Sequence, residues 1–244
     1  MSKLIQEGNN YFIGNKKKFS PISLETNYLS SVFSFAYEMT FGKAGEHRKY
    51  RSGGTANRRN GEIFCDTFQG KLAEFFVHQS FKKLGIDCPM PDLATWDLGK
   101  WDSEDFLING KLINVKSMAF FSNLLLLETK DWDQQGRYIP NNKSYDFFVT
   151  VRVRPELKKE FKLQKILYSD IVSEQRLRSI IEKQDFVADI PGFVKGSFLK
   201  QKIKEKQILP KSAMLNGSMK MDAENYYVMS TDFEDFFKIK EYLC

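Results

Sequence analysis

Cysteine is scarce: the 244 residues hold only Cys65, Cys88 and Cys244, an odd number with no CxxC or zinc-ligand spacing. That argues against a disulfide scaffold and against a structural zinc site, and makes a reducing, cytoplasmic setting the expectation. Histidine is scarcer still. His47 and His78 lie far apart with no metal ligand at helical spacing, which removes the basis for a zinc centre or a Ser/His/Asp triad. No GxxxxGK[ST] string occurs, so no nucleotide cofactor is expected. Long apolar runs are missing as well. The N-terminus lacks the roughly 7–15-residue apolar stretch of a signal peptide. The densest run, MAFFSNLLLL at 118–127, falls short of the about 18 residues of a membrane span, so no membrane partner is expected. Repeats, low-complexity tracts and Pro/Gly/Ser-rich linkers are absent too, which predicts one domain over 1–244.

What is present is enough apolar material for a large core, 42% of residues, with 28% charged. The formal net charge of +6 is unevenly spread. Residues 43–59 carry six Lys or Arg against one Glu, and residues 195–211 again six Lys against one Glu. Two basic stretches around a balanced middle suit a protein that holds a polyanion against a defined site. Solvated loops and a lysine-rich helix face would give the same composition. Arginine is the side chain best matched to the guanine edge in the major groove. Arg48, Arg51, Arg58, Arg59 and Arg137, all in expected loops, are the candidate DNA-binding residues, to bases or to phosphates.

Periodicity supplies the elements. Leu29, Val32, Phe33, Ala36 and Tyr37 follow the i, i+3, i+4, i+7, i+8 pattern and predict an amphipathic helix over 25–40. A second helix is expected over 61–84, stopped by Gly85. Ile63, Gly70, Glu74, Val77, Phe81 and Leu84 share one stripe of it, so Glu74 interrupts an apolar face, where a carboxylate needs a partner, a cleft or a metal. The pattern then changes to period two. DFLI and KLINVKSM flank Asn109-Gly110, the strongest short hairpin signal. A two-residue turn there pairs Ile108 with Lys111, Leu107 with Leu112, Phe106 with Ile113, and sets Asp105 opposite Asn114. Side-chain alternation puts Asp105, Asn114 and Lys116 on one side of the hairpin and Ile113 and Val115 on the other. A strand at 145–153 follows after a crossover. The C-terminal third mixes helices (173–184, 232–242) with a strand at 225–230. The sum is an α/β fold.

GKLAEFFVHQSFKKLGI, DFLINGKLINVKS and YDFFVTVRV, in that order, resemble the core of the PD-(D/E)xK nucleases, Type II restriction endonucleases in particular. The resemblance spans about 70–155 and extends more weakly to IPGFVKGSFL and MDAENYYVMSTDFED. It implies a restriction-endonuclease-like mixed central β-sheet flanked by helices, with a core at about 61–155, an N-terminal helical arm at 1–60 and a C-terminal extension at 156–244. It also implies Mg²⁺-dependent cleavage of double-stranded DNA by a homodimer. Asp105 takes the place of the motif's aspartate, Lys116 that of its lysine, and Glu74 that of the helix glutamate. Mg²⁺ would be held by Asp105, residue 114, the Val115 carbonyl and Glu74. Two departures stand out. Glu104, not proline, precedes Asp105, and Asn114 stands where Asp or Glu belongs. Either Glu74 supplies the missing charge, or the chain is a cleavage-impaired Asp→Asn form. A nuclease acting on branched or single-stranded DNA, and a catalytically inactive DNA-binding protein, are the alternatives on the same fold.

Overall fold

The computed structural model describes residues 2–25, 27–42, 58–94 and 105–244. The chain opens with strands β1 (Ile5–Glu7), β2 (Asn10–Phe12) and β3 (Ile22–Ser23), then helices α1 (Asn27–Glu38) and α2 (Asn60–Lys83). A hairpin follows, β4 (Phe106–Ile108) and β5 (Lys111–Ala119), then β6 (Leu124–Glu128) and β7 (Phe147–Arg154). Helices α3 (Leu157–Leu163) and α4 (Glu174–Ile181) lead into β8 (Val187–Lys195) and α5 (Gly196–Lys204). Short strands β9 (Ile208–Leu209), β10 (Met214–Leu215), β11 (Met219–Lys220) and β12 (Asn225–Met229) precede a final helical turn, α6 (Lys240–Leu243).

The main sheet has the order β3-β8-β7-β5-β4. It is mixed: β5 and β7 run parallel, and the other neighbours are antiparallel. The hairpin register is the expected one, with Phe106 opposite Ile113, Leu107 opposite Leu112 and Ile108 opposite Lys111. Its turn places Asn109 at φ +48° and Gly110 at φ +75°, the left-handed pair that a two-residue hairpin requires. The crossover from β5 to β7 carries no α-helix, only a 3₁₀ turn at Thr129–Asp131. It passes through β6, which pairs with β12 in a separate sheet of order β6-β12-β9.

Helix α2 is buried on more than one stripe. Phe64, Phe68, Phe75, Phe76 and Phe81 are all sequestered, because α1 lies along one side (Phe33 to Phe64, 5.8 Å between ring centroids) and the sheet along another (Phe81 to Phe106, 5.7 Å). Apolar positions all round mark a helix with neighbours on several sides. Burying each of these rings contributes about 1.5–3 kcal/mol. The helix ends as expected at Gly85 (φ +69°), whose amide donates to the Lys82 carbonyl while that of Ile86 donates to Phe81.

Three expectations change. The stretch 1–60 is not a helical arm apart from the core, since β3 joins the main sheet and α1 packs its apolar face into the same cluster as α2. The core does not stop near 155, because β8 is an inner strand of the main sheet. In place of a helix over 232–242 stand 3₁₀ turns at Ser230–Asp232 and Phe236–Ile239 and then α6.

Candidate active site at the hairpin

The β4–β5 ladder stops at Phe106, and a side chain continues it. Asp105 Oδ2 accepts a 2.6 Å hydrogen bond from the Val115 amide, which turns this edge of β5 and the Val115 carbonyl toward the carboxylate. Ile113 and Val115 pack into the cluster under α2, with Phe106 and Ile108. Their neighbours Leu112 and Met118 pack on the other face, with Trp132 and Phe148. Asn114 and Lys116, alternating with Ile113 and Val115, therefore point to that second face, as does Asp105. Asn114 is only half-buried as a residue, yet its Oδ1 is sealed from solvent and has no hydrogen-bond partner. An unsatisfied buried acceptor costs about 1–3 kcal/mol and calls for a ligand or a role.

Lys116 is half-buried on the same side. Desolvation pulls its pKa below the usual lysine value, and the carboxylates of Asp105 and Asp131 push back. Asp131 has no place in the sequence argument. It ends a 3₁₀ turn after β6, and the next residue, Trp132, is buried with its ring 5.4 Å from that of Phe148. Phe148 is the partner of Asn114 across the β5–β7 ladder. The signal available in the sequence was faint: an acid next to an aromatic, just past the apolar run LLLL.

Glu74 does not join the cluster. It sits on α2, which covers the opposite face of β5 from the Asn114 and Lys116 side chains, and it pairs with Lys71 at 2.6 Å one helical turn away. Helix phase set Glu74 on a stripe of α2 but could not say which face of the sheet α2 covers. Three of the candidate arginines are paired within the protein. Arg58 is largely buried and bound to Asp66, within α2, at 2.9 Å, and Arg59 holds Asp170 at 2.6 Å, tying the start of α2 to the segment after α3. Arg137 folds back on Asp133 at 2.7 Å. All three serve the protein's own carboxylates. Arg48 and Arg51 lie outside the described residues. In the second basic stretch Lys202 is fully buried, bonded to Glu205 and Gln207.

Among the described residues no three His, Cys, Asp or Glu side chains are grouped to hold a metal. The hairpin end nevertheless fits Mg²⁺. It offers one carboxylate, the unpartnered Asn114 Oδ1 and the Val115 carbonyl, and Mg²⁺ keeps several waters while taking only one or two carboxylates. Comparison with protein families, curated proteins and solved structures finds no match for this chain.

Proposed function

We propose that the chain is a Mg²⁺-dependent endodeoxyribonuclease of restriction type, built on a restriction-endonuclease-like core, with its active site at Asp105, Asn114 and Lys116. The observation that carries the reading is the buried, partnerless Asn114 Oδ1, next to Asp105 and on the same face as Lys116. Thr40 Oγ1 and His78 Nδ1 are buried without a partner as well, but Asn114 Oδ1 is the one that lies beside the Asp105 carboxylate and the Val115 carbonyl, and such a set of oxygens suits a cation. The order helix, hairpin, crossover, parallel strand agrees with the resemblance of the quoted segments.

Asp105, Asn114 Oδ1 and the Val115 carbonyl would hold Mg²⁺, and the ion when bound supplies Lewis-acid polarisation of a phosphate oxygen and of water. The chain's own residues do the rest. The Val115 amide fixes the Asp105 carboxylate at the end of the hairpin through Oδ2. Lys116 places a mobile positive charge where negative charge develops on the phosphate, and its desolvation makes that charge act at greater strength. Cutting both strands of a palindromic site suits a two-fold homodimer.

A second reading has one observation in its favour: the hairpin itself carries a carboxamide where a carboxylate belongs, as an inactive DNA-binding protein would. Digestion of unmethylated phage DNA with Mg²⁺, run beside Asn114→Asp, separates the two. Discrete fragments from the wild type, or from Asn114→Asp alone, support a nuclease core. Specific duplex binding with no cutting by either protein supports the binder and overturns the nuclease.

A further inference from the structure

We infer that the cavity beside β8 is a binding site for a small amphiphilic anion, an alkyl or acyl chain ending in an acid group, with the acid at Lys17, Lys18 and Lys83 and the chain on the apolar wall. No residue of β4 or β5 lines this cavity, so it is separate from the hairpin and does not depend on the nuclease reading.

The cavity exists because the sheet edge is interrupted. Strand β8 pairs with β3 at Val187 and Ala188, and Phe193 bridges to Glu234; among the described residues no strand covers 189–192 on that side. The opening, about 440 Å³, has the size of a small-ligand site. One wall is the segment 17–20, which side chains fasten in place. The buried Arg152 guanidinium donates to the Lys17 and Lys18 carbonyls at 2.9 and 2.7 Å, and the Ser20 amide donates to the Asp189 carboxylate at 2.8 Å. The end of α2 and the turn at Phe236–Ile239 supply the other walls. A wall held in this way is shaped before any ligand arrives.

The lining divides by chemistry. Ile22, Leu84, Ile190, Pro191 and Phe237 give it a mostly aliphatic wall, of which Ile22 and Phe237 are exposed. Against this stand more cations than the carboxylates can match. Asp189 is occupied by Arg152 and the Ser20 amide, and Asp235 accepts from the Phe237 amide. Lys18 and Lys83 have no carboxylate partner among the described residues. Lys17 Nζ donates to the Pro191 and Phe233 carbonyls at 2.8 and 3.3 Å, which leaves one of its three hydrogens for a ligand. Burial, and after it the Arg152 charge, pulls the Lys17 pKa below the usual lysine value against the field of Asp235, a strain that an anion in the cavity relieves. Inorganic phosphate would leave the aliphatic wall wet, and a neutral chain would leave the ammonium groups uncompensated. A nucleic-acid backbone has no chain to fill the space. An acid group on an apolar body answers both halves of the lining.

The test titrates the ¹⁵N-labelled full-length chain with octanoate, octyl phosphate, octanol and inorganic phosphate, follows amide shifts by NMR, and uses circular dichroism as the folding control. Octanoate or octyl phosphate should shift the amides around Lys18 and Ile190, and the tighter of the two names the acid group. Octanol and inorganic phosphate should leave those amides unshifted at the same concentrations. The double variant Lys18→Gln/Lys83→Gln, at two exposed positions, should weaken octanoate roughly 2- to 30-fold, the scale of two solvent-exposed ion pairs. Phe237→Ser, also at an exposed position, should weaken it as well, whereas Lys211→Gln, outside the cavity, should change nothing. Unchanged octanoate affinity in the double lysine variant, shifts confined to another part of the chain, or no binding of either octyl anion would overturn the inference. So would a DNA duplex that shifts the same amides while neither octyl anion does, since the cavity would then belong to a nucleic-acid surface.

Discussion

Asp105 performs two tasks that a pair of substitutions separates. Its Oδ2 accepts the Val115 amide at 2.6 Å, and its charge faces the cleft shared with Asn114 and Lys116. Asp105→Ala removes both, leaving the Val115 N–H without its acceptor. A hydrogen bond to a charged group is worth about 1.5–3 kcal/mol. For a chain of this size each kcal/mol moves the midpoint by roughly 2–4 °C, so the Ala variant should melt about 3–12 °C below wild type. Asp105→Asn keeps a carbonyl oxygen in reach of the same amide and removes only the charge. Its stability should fall by only about 1–1.5 kcal/mol, the difference between charged and neutral acceptors. Cleavage and Mn²⁺ binding should vanish in both. Thermal melts followed by calorimetry, with single-turnover cleavage on the same preparations, give both readouts. If Asp105→Asn cuts at the wild-type rate, the carboxylate is a strand-end fastener and the active site lies elsewhere. If instead the Asn variant loses as much stability as the Ala variant, the Val115 bond is not what the charge-free side chain preserves, and the division of tasks fails.

Lys116→Ala should slow the chemical step by about 2.7–4 kcal/mol, the scale of other electrostatic deletions, while duplex affinity measured in Ca²⁺ survives; lost affinity at an unchanged single-turnover rate would make Lys116 a phosphate anchor. Arg58→Ala should cost about 1–2 kcal/mol in urea unfolding, because it strips Asp66 of a cation, although Lys158 stays on the same carboxylate at 2.6 Å. The same variant should leave the salt slope of DNA binding unchanged, and a slope reduced by about one would restore Arg58 to the DNA surface. Burial pushes the Cys88 thiol up to about 11, so its thiolate is rare at pH 8 and appears only as pH climbs toward that value. Iodoacetamide at pH 8, followed by peptide mapping, should label the exposed Cys244 well before Cys88; equal rates at pH 8 would refute the shift. The raised pKa also makes the folded state hold its proton longer than the unfolded chain, so this group's contribution to stability falls as pH rises from about 9 to about 11.

Everything local to the hairpin was legible in the amino-acid order. Asn109-Gly110 specifies a turn with two positive φ values, two residues long, and strand alternation then places Asp105 opposite Asn114 and Lys116 on the same side. The ends of α1 and α2 were legible for the same reason, since apolar spacing and a C-terminal glycine act within a few residues. Strand β8 was not, because Pro191 and Gly192 interrupt its pattern and its hydrogen bonds go to β7, more than thirty residues earlier in the chain. Which face of the sheet α2 covers was decided only by packing, and that choice separates Glu74 from Asn114. Packing also assigned the arginines, since Arg58 and Arg59 look like free loop cations until Asp66 and Asp170 are brought beside them. Asp131 is the clearest instance. Nothing in TKDWDQQ marks its first aspartate, whose charge reaches Lys116 only because the turn after β6 folds back with Trp132 buried against Phe148. Short-range stereochemistry sets turns, registers and helix ends; the charges that meet in a cleft come from segments far apart in the chain, and only burial of the side chains between them brings those charges together.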